Sequence, residues 1–108
     1  MNAVIYVRVE IAEQAELRVQ RFLVFCRRYA ERAGFTIVGE FQDIGTGTSI
    51  KRPGLEAMRQ RVSEGSVDGV IVYTLSQLGR SGWQHQMLPK EFAKQGARLY
   101  SVLRSTPR

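Results

Sequence analysis

The stretch Val67-Asp-Gly-Val-Ile-Val-Tyr-Thr-Leu-Ser-Gln-Leu-Gly-Arg-Ser-Gly82 joins an apolar run to a polar loop. The first part is rich in β-branched residues and lacks alternation, which is typical of a strand buried on both faces. The second part carries Arg80 and Gly82, and a helical pattern begins at Trp83. Ligands of open α/β sheets bind at the carboxyl ends of the strands. We therefore expect this loop to carry the chemistry of the protein.

Working outward, the chain alternates apolar runs with helical spacing. Strands are predicted at residues 3–9, 35–41, 67–75 and 97–103, and helices at about 12–33, 53–64 and 83–95. Pro53 suits a first helical position, whereas Pro89 is expected to bend or break the last helix. This order predicts a single α/β domain. Its mostly parallel sheet has four strands or slightly more, with helices on both faces in three α/β/α layers.

Composition limits the class of protein. The 108 residues suffice for one compact domain, and sixteen Lys and Arg against ten Asp and Glu give a net charge of +6, which suits a polyanionic partner. The one cysteine, Cys26, allows no internal disulfide, as expected in the cytoplasm. No apolar run approaches the roughly 20 residues of a membrane span, no signal peptide is evident, and no Cys/His cluster indicates a metal.

The first helix contains Phe22-Leu-Val-Phe25, which is apolar around the whole helix. Either a second layer covers it, or it is an exposed patch of the kind found at interfaces. We favour burial or self-association over a ligand site, and Cys26 is expected to be a small core residue.

Polar residues follow three of the predicted strands, and parallel strands bring their carboxyl ends to one edge of a sheet. A long polar loop spans residues 42–52. The candidate site residues are Arg8, Glu10, Asp43, Arg52, Ser76, Gln77 and Arg80. Three arginines that converge at this edge could hold a phosphate.

Four segments resemble the catalytic domain of the serine recombinases, the resolvase/invertase and large serine integrase family. They are Tyr6-Val-Arg-Val-Glu10, Asp43-Ile-Gly-Thr-Gly-Thr-Ser-Ile-Lys-Arg-Pro-Gly-Leu55, Leu75-Ser-Gln-Leu-Gly-Arg80 and Phe92-Ala-Lys-Gln-Gly-Ala-Arg-Leu99. Their order and spacing match the family from residue 3 to about 103.

The resemblance implies site-specific DNA cleavage and strand exchange through a phosphoserine, without a metal or nucleotide cofactor. By position, Arg8, Arg52 and Arg80 match the arginines that bind the DNA phosphate. Gln14 and Asp43 match supporting polar positions.

The departures from the family fall on the chemistry. Glu10 stands at the nucleophile position, Ser76-Gln77 replaces an Asp-Arg pair, and Phe22 replaces a residue that is usually polar. A carboxylate cannot form a phosphoserine. At ~4 Å it also repels a phosphate charge by about 1 kcal/mol in water and about 4 kcal/mol at a surface-like dielectric. We therefore predict a catalytically inactive domain.

Compared with the family, residues 1–108 are expected to form the catalytic domain without the C-terminal dimerisation helix and DNA-binding domain. DNA binding by the chain alone should then be weak. A second hypothesis is a regulatory module that associates with an intact recombinase through the helix that carries residues 22–25. A homo-oligomer is the other expected assembly. A third hypothesis, a flavodoxin-like phosphate-binding domain, explains the fold but not the three arginines.

Overall fold

The computed structural model of the chain describes residues 1–45, 52–79 and 82–103. Four strands alternate with three helices, and a short 3₁₀ turn at Leu75–Gln77 follows the third strand. The elements are β1 Asn2–Glu10, α1 Ala15–Ala33, β2 Thr36–Gly45, α2 Pro53–Ser63, β3 Gly69–Val72, α3 Gly82–Lys94 and β4 Arg98–Ser101.

The strands form one parallel sheet in the order β2-β1-β3-β4. The central position of β1 explains its composition, because a strand with neighbours on both sides and helices on both faces needs apolar side chains throughout. Residues 3–7 are fully buried. The prediction of a single α/β domain with a parallel sheet is confirmed.

Alternation along β1 separates two cores. Ala3, Ile5 and Val7 pack with α1, whereas Val4 and Tyr6 pack with α2 and α3. On the second face an Arg59–Glu91 ion pair at 2.6 Å joins α2 to α3. The helices therefore cover both faces of the sheet, and the carboxyl ends of the strands remain as the edge where a site can form.

Several boundaries differ from the sequence prediction. β2 continues to Gly45 because its pairing with β1 persists as far as Glu10, so the start of the predicted loop is strand. β3 ends at Val72 because the chain turns at Leu75–Gln77, and β4 is also shorter than predicted. Pro89 lies inside α3 and does not end it.

Cys26 is fully buried in the core beneath α1, as predicted. Burial raises the pKa of its thiol to about 12. Since the thiolate is the reactive form, we expect almost no labelling of the folded chain by a disulfide reagent at about pH 8. The same reagent should label the chain stoichiometrically in denaturant. Rapid labelling under native conditions would show that α1 opens readily or that Cys26 is accessible.

Candidate active site

A cavity of about 350 Å³ opens at the carboxyl ends of β1 and β3, beside α1. Three elements supply its walls: the end of β1, the first two turns of α1, and the turn after β3. The lining residues are Arg8, Val9, Glu10, Arg18, Phe22, Tyr73, Thr74, Ser76 and Gln77. The structure thus brings four of the sequence-predicted site residues together, namely Arg8, Glu10, Ser76 and Gln77.

Gln77 is 6% exposed, and its amide is used within the protein. Its Oε1 accepts a hydrogen bond from the backbone N–H of Tyr73 at 3.1 Å, and its Nε2 donates to the carbonyl of Arg8 at 3.4 Å. The side chain therefore joins the turn after β3 to the end of β1. A buried polar group with both ends paired is satisfied, so Gln77 stabilises the site wall as a neutral group.

Ser76 is exposed on the same turn. A hydrogen bond of 2.8 Å joins its Oγ to Thr74 Oγ1. A serine becomes a nucleophile when a neighbouring base activates it, and a second hydroxyl is not such a base. The Ser76–Thr74 pair therefore fits a role in shaping the turn.

Asp43 lies on the other side of β1, in a buried network at the start of α2. Its Oδ2 accepts hydrogen bonds from Tyr6 Oη at 2.6 Å and from the Leu55 N–H at 2.8 Å, and its Oδ1 accepts from the Gly54 N–H at 2.7 Å. The first N–H groups of a helix lack intrahelical partners and carry partial positive charge, so a carboxylate there is stabilising. Asp43 fixes the start of α2 against β2.

Arg52 completes this network and reaches the turn after β3. It is 8% exposed, and it donates to the carbonyl of Leu78, to the carbonyl of Gln77 at 2.6 Å and to Tyr6 Oη at 2.9 Å. Its guanidinium carbon lies 5.5 Å from the Tyr6 ring centroid, within cation–π range. Arg52 therefore lies beneath the turn that carries Ser76 and Gln77, rather than in the cavity wall.

Tyr6 links Asp43 to Arg52 in this network. Burial raises the pKa of its phenol above the usual value, and the hydrogen bond to Asp43 adds to this effect, while Arg52 opposes it. The phenol therefore stays protonated and donates to Asp43 while it accepts from Arg52.

Gly54 allows the close approach of α2 to β2. A Cβ atom at this position would lie 2.1 Å from the carbonyl oxygen of Gln42 and 3.0 Å from Asp43 Oδ1. Any larger residue would push the start of α2 away from Asp43. The glycine is therefore required for the carboxylate to bind both helical N–H groups.

The remaining predicted residues are placed as follows. Gln14 is exposed and precedes α1 in a left-handed conformation, with φ 61°, and its carbonyl accepts from the Arg18 N–H at 3.0 Å. Arg80 and the loop residues 46–51 lie outside the described residues. Arg18 and Tyr73 also line the cavity and were not among the predicted site residues. The four-residue spacing of Arg18 and Phe22 on a helix could have indicated the first.

Residues 1–45, 52–79 and 82–103 contain no group of three or more metal-ligating side chains. No helix within the same ranges is long and apolar enough to cross a membrane.

Comparisons with known proteins show which family and which solved structures this architecture resembles. The family model described as "Resolvase, N terminal domain" matches residues 3–107. The C-terminal catalytic domain of ISC1926 TnpA, an IS607-like serine recombinase, is 29% identical with a TM-score of 0.85, over 100% of this chain and 71% of its own. A comparison with curated proteins gives no match.

Two further solved structures share the fold at lower identity. A resolvase family site-specific recombinase from Streptococcus pneumoniae is 23% identical, with a TM-score of 0.78 over 94% of this chain and 72% of its own. The N-terminal catalytic domain of TP901-1 integrase is also 23% identical, with a TM-score of 0.77 over 94% of this chain and 77% of its own. With the family model covering nearly every residue, the chain belongs to the resolvase-like serine recombinase catalytic-domain family.

Proposed function

We propose that this chain is a serine recombinase catalytic domain that binds DNA phosphate but cannot form the phosphoserine link. The observation that carries the proposal is Glu10, which ends β1 and lines the cavity beside Arg8. This is the nucleophile position of the family motif. A carboxylate offers no hydroxyl for the attack and opposes a phosphate by charge repulsion.

The turn after β3 supports the same proposal. The family pattern places an acidic and a cationic residue there, whereas Gln77 is a neutral amide that binds Tyr73 and Arg8. Losing one group that stabilises the transition state costs about 10²–10³-fold in rate. We assign phosphate contact to Arg8 and Arg80, and to Arg52 the support of the turn through its carbonyls.

The direct test is a search for a covalent protein–DNA adduct. The chain is incubated with a nicked substrate that traps the intermediate, beside an intact relative on its own site, and the products are separated on a denaturing gel. We expect an adduct from the relative and none from this chain. An adduct from the chain that survives denaturation would overturn the proposal and would require a different nucleophile.

A second candidate function is a regulatory module that binds an intact recombinase through α1. It is favoured by the exposed fractions of Leu17, Val24 and Phe25, which are 55%, 38% and 38%. Exposed apolar residues that cluster on one element mark interfaces. Co-purification with an intact recombinase separates this function from an isolated, inactive domain.

A further inference from the structure

Helix α1 presents arginines and aromatic rings along one side. Starting from Arg18, each further member lies three or four residues beyond an earlier one, so all of them fall on one side of the helix. The set, here called the α1 stripe, is Arg18, Arg21, Phe22, Phe25, Arg28, Tyr29 and Arg32. At about 100° per residue they fall within an arc of about 120°. All four arginines are exposed, Phe25 is 38% exposed, and Phe22 and Tyr29 are half-buried.

The charge of the α1 stripe is not neutralised by its own helix. Of the acidic residues of α1, Glu16 lies on the opposite side of the helix, and Glu31 lies outside the stripe, about 60° around the helix from Arg28. Arg27 forms an ion pair with Glu40, and it lies off the stripe. In the described part of the chain, no carboxylate forms an ion pair with Arg21, Arg28 or Arg32.

The rings stand between these charges and rest on a supporting layer. Phe22 and Phe25 lie 4.8 Å and 5.5 Å from Tyr73, and Tyr29 lies 6.3 Å from Tyr100, measured between ring centroids. Aromatic rings held in place beneath a charged row lose little freedom when a flat ligand stacks on them. A row of cations alone would suit any polyanion, whereas interleaved rings suit unpaired bases.

We propose that the α1 stripe binds single-stranded nucleic acid, with arginines on the phosphates and Phe25 against a base. The helix rises about 21 Å from Arg18 to Arg32, so the stripe is long enough to lie along several successive nucleotides of one strand. Glu10 lies in the cavity with Arg18 and repels phosphate there, so Arg21, Arg28 and Arg32 carry most of the contact. This function is independent of phosphoserine chemistry, although Arg18 and Phe22 of the α1 stripe also line the cavity of the candidate active site.

The test is fluorescence anisotropy of labelled oligonucleotides of about 15 nucleotides, titrated with the full chain. The single strand should bind more tightly than the duplex of the same sequence. Arg21→Gln with Arg28→Gln should weaken single-strand binding about tenfold or more and lower the slope against log salt by about 1.4, two contacts at about 0.7 each. Lys90→Gln with Lys94→Gln, on exposed positions of α3, removes the same charge and should change little.

Substitutions of Phe25 distinguish base stacking from general electrostatic attraction. Phe25→Leu keeps an apolar side chain and should weaken single-strand binding about tenfold, whereas Phe25→Tyr should retain it. Circular dichroism of each variant establishes that the fold is intact. Equal losses from the α1 and α3 pairs, tighter binding of the duplex, or an unchanged affinity in Phe25→Leu would each overturn the proposal. An unchanged affinity in Phe25→Leu would indicate that Phe25 contacts a protein rather than a base.

Discussion

Asp43→Ala is expected to lower the free energy of unfolding by about 3 kcal/mol or more, because a hydrogen bond to a charged group contributes about 1.5–3 kcal/mol and a buried donor left unpaired costs about 1–3 kcal/mol. The substitution removes three hydrogen bonds at once, from Tyr6, Gly54 and Leu55. Two helical N–H groups at the start of α2 then lose their partner, and Tyr6, which accepts a hydrogen bond from Arg52, loses its own acceptor. A domain of this size has about 5–15 kcal/mol of stability in total.

The measurement is denaturant unfolding of Asp43→Ala beside Asp68→Ala. Asp68 is a matched control, because its carboxylate accepts one hydrogen bond, from the Asn2 N–H at 2.7 Å, in a partly buried position. We expect a cost near 1 kcal/mol for the control. If the two substitutions cost the same, the buried network would not be what holds α2 to β2. Asp43→Asn, which keeps an acceptor oxygen, should fall between the two.

Asp43 also shows which contacts cannot be predicted from the sequence. The sequence placed it at the exit of a strand as a supporting polar residue, and the structure puts it near the end of β2. Its partners, however, are eleven, twelve and thirty-seven residues away along the chain. No local pattern encodes such contacts, and the polar run after residue 41 suggested a loop where pairing with β1 continues the strand.

Arg52 and Gln77 illustrate the same limit for the site. Both positions were predicted as site residues from their resemblance to family motifs, and Gln77 lines the cavity whereas Arg52 does not. Motifs could not show that Arg52 binds the carbonyls of the turn from below, or that the Gln77 amide is buried against β1. The alternation of strands and helices along the chain and the burial of β1 on both faces were predictable, because they follow from hydrophobic periodicity, which is a local property.

The largest change in activity is expected from restoring the family residues at Glu10, Ser76 and Gln77 together. Glu10→Ser alone places a hydroxyl at the end of β1, but the turn after β3 still lacks the acidic and cationic groups that the proposed match to the family motif expects there. With about 10²–10³-fold in rate lost for each missing stabilising group, the single variant should give no detectable adduct. The triple variant Glu10→Ser, Ser76→Asp and Gln77→Arg should form one when it replaces the catalytic domain of an intact relative.

Because Gln77 is buried, this experiment also requires that the triple variant folds. Gln77→Arg removes the amide that pairs with the Tyr73 N–H, and an unpaired buried N–H costs about 1–3 kcal/mol. The new guanidinium must also turn out of the buried position towards the cavity to meet a phosphate. Unfolding of the triple variant is therefore measured first, and a loss within that range is expected. A folded triple variant that forms no adduct, on a substrate that the relative cleaves, would contradict the match of these three positions to the family site. An adduct that appears with Gln77→Arg present and disappears when it is reverted would support the proposed match of Glu10 and this turn to the family's catalytic positions.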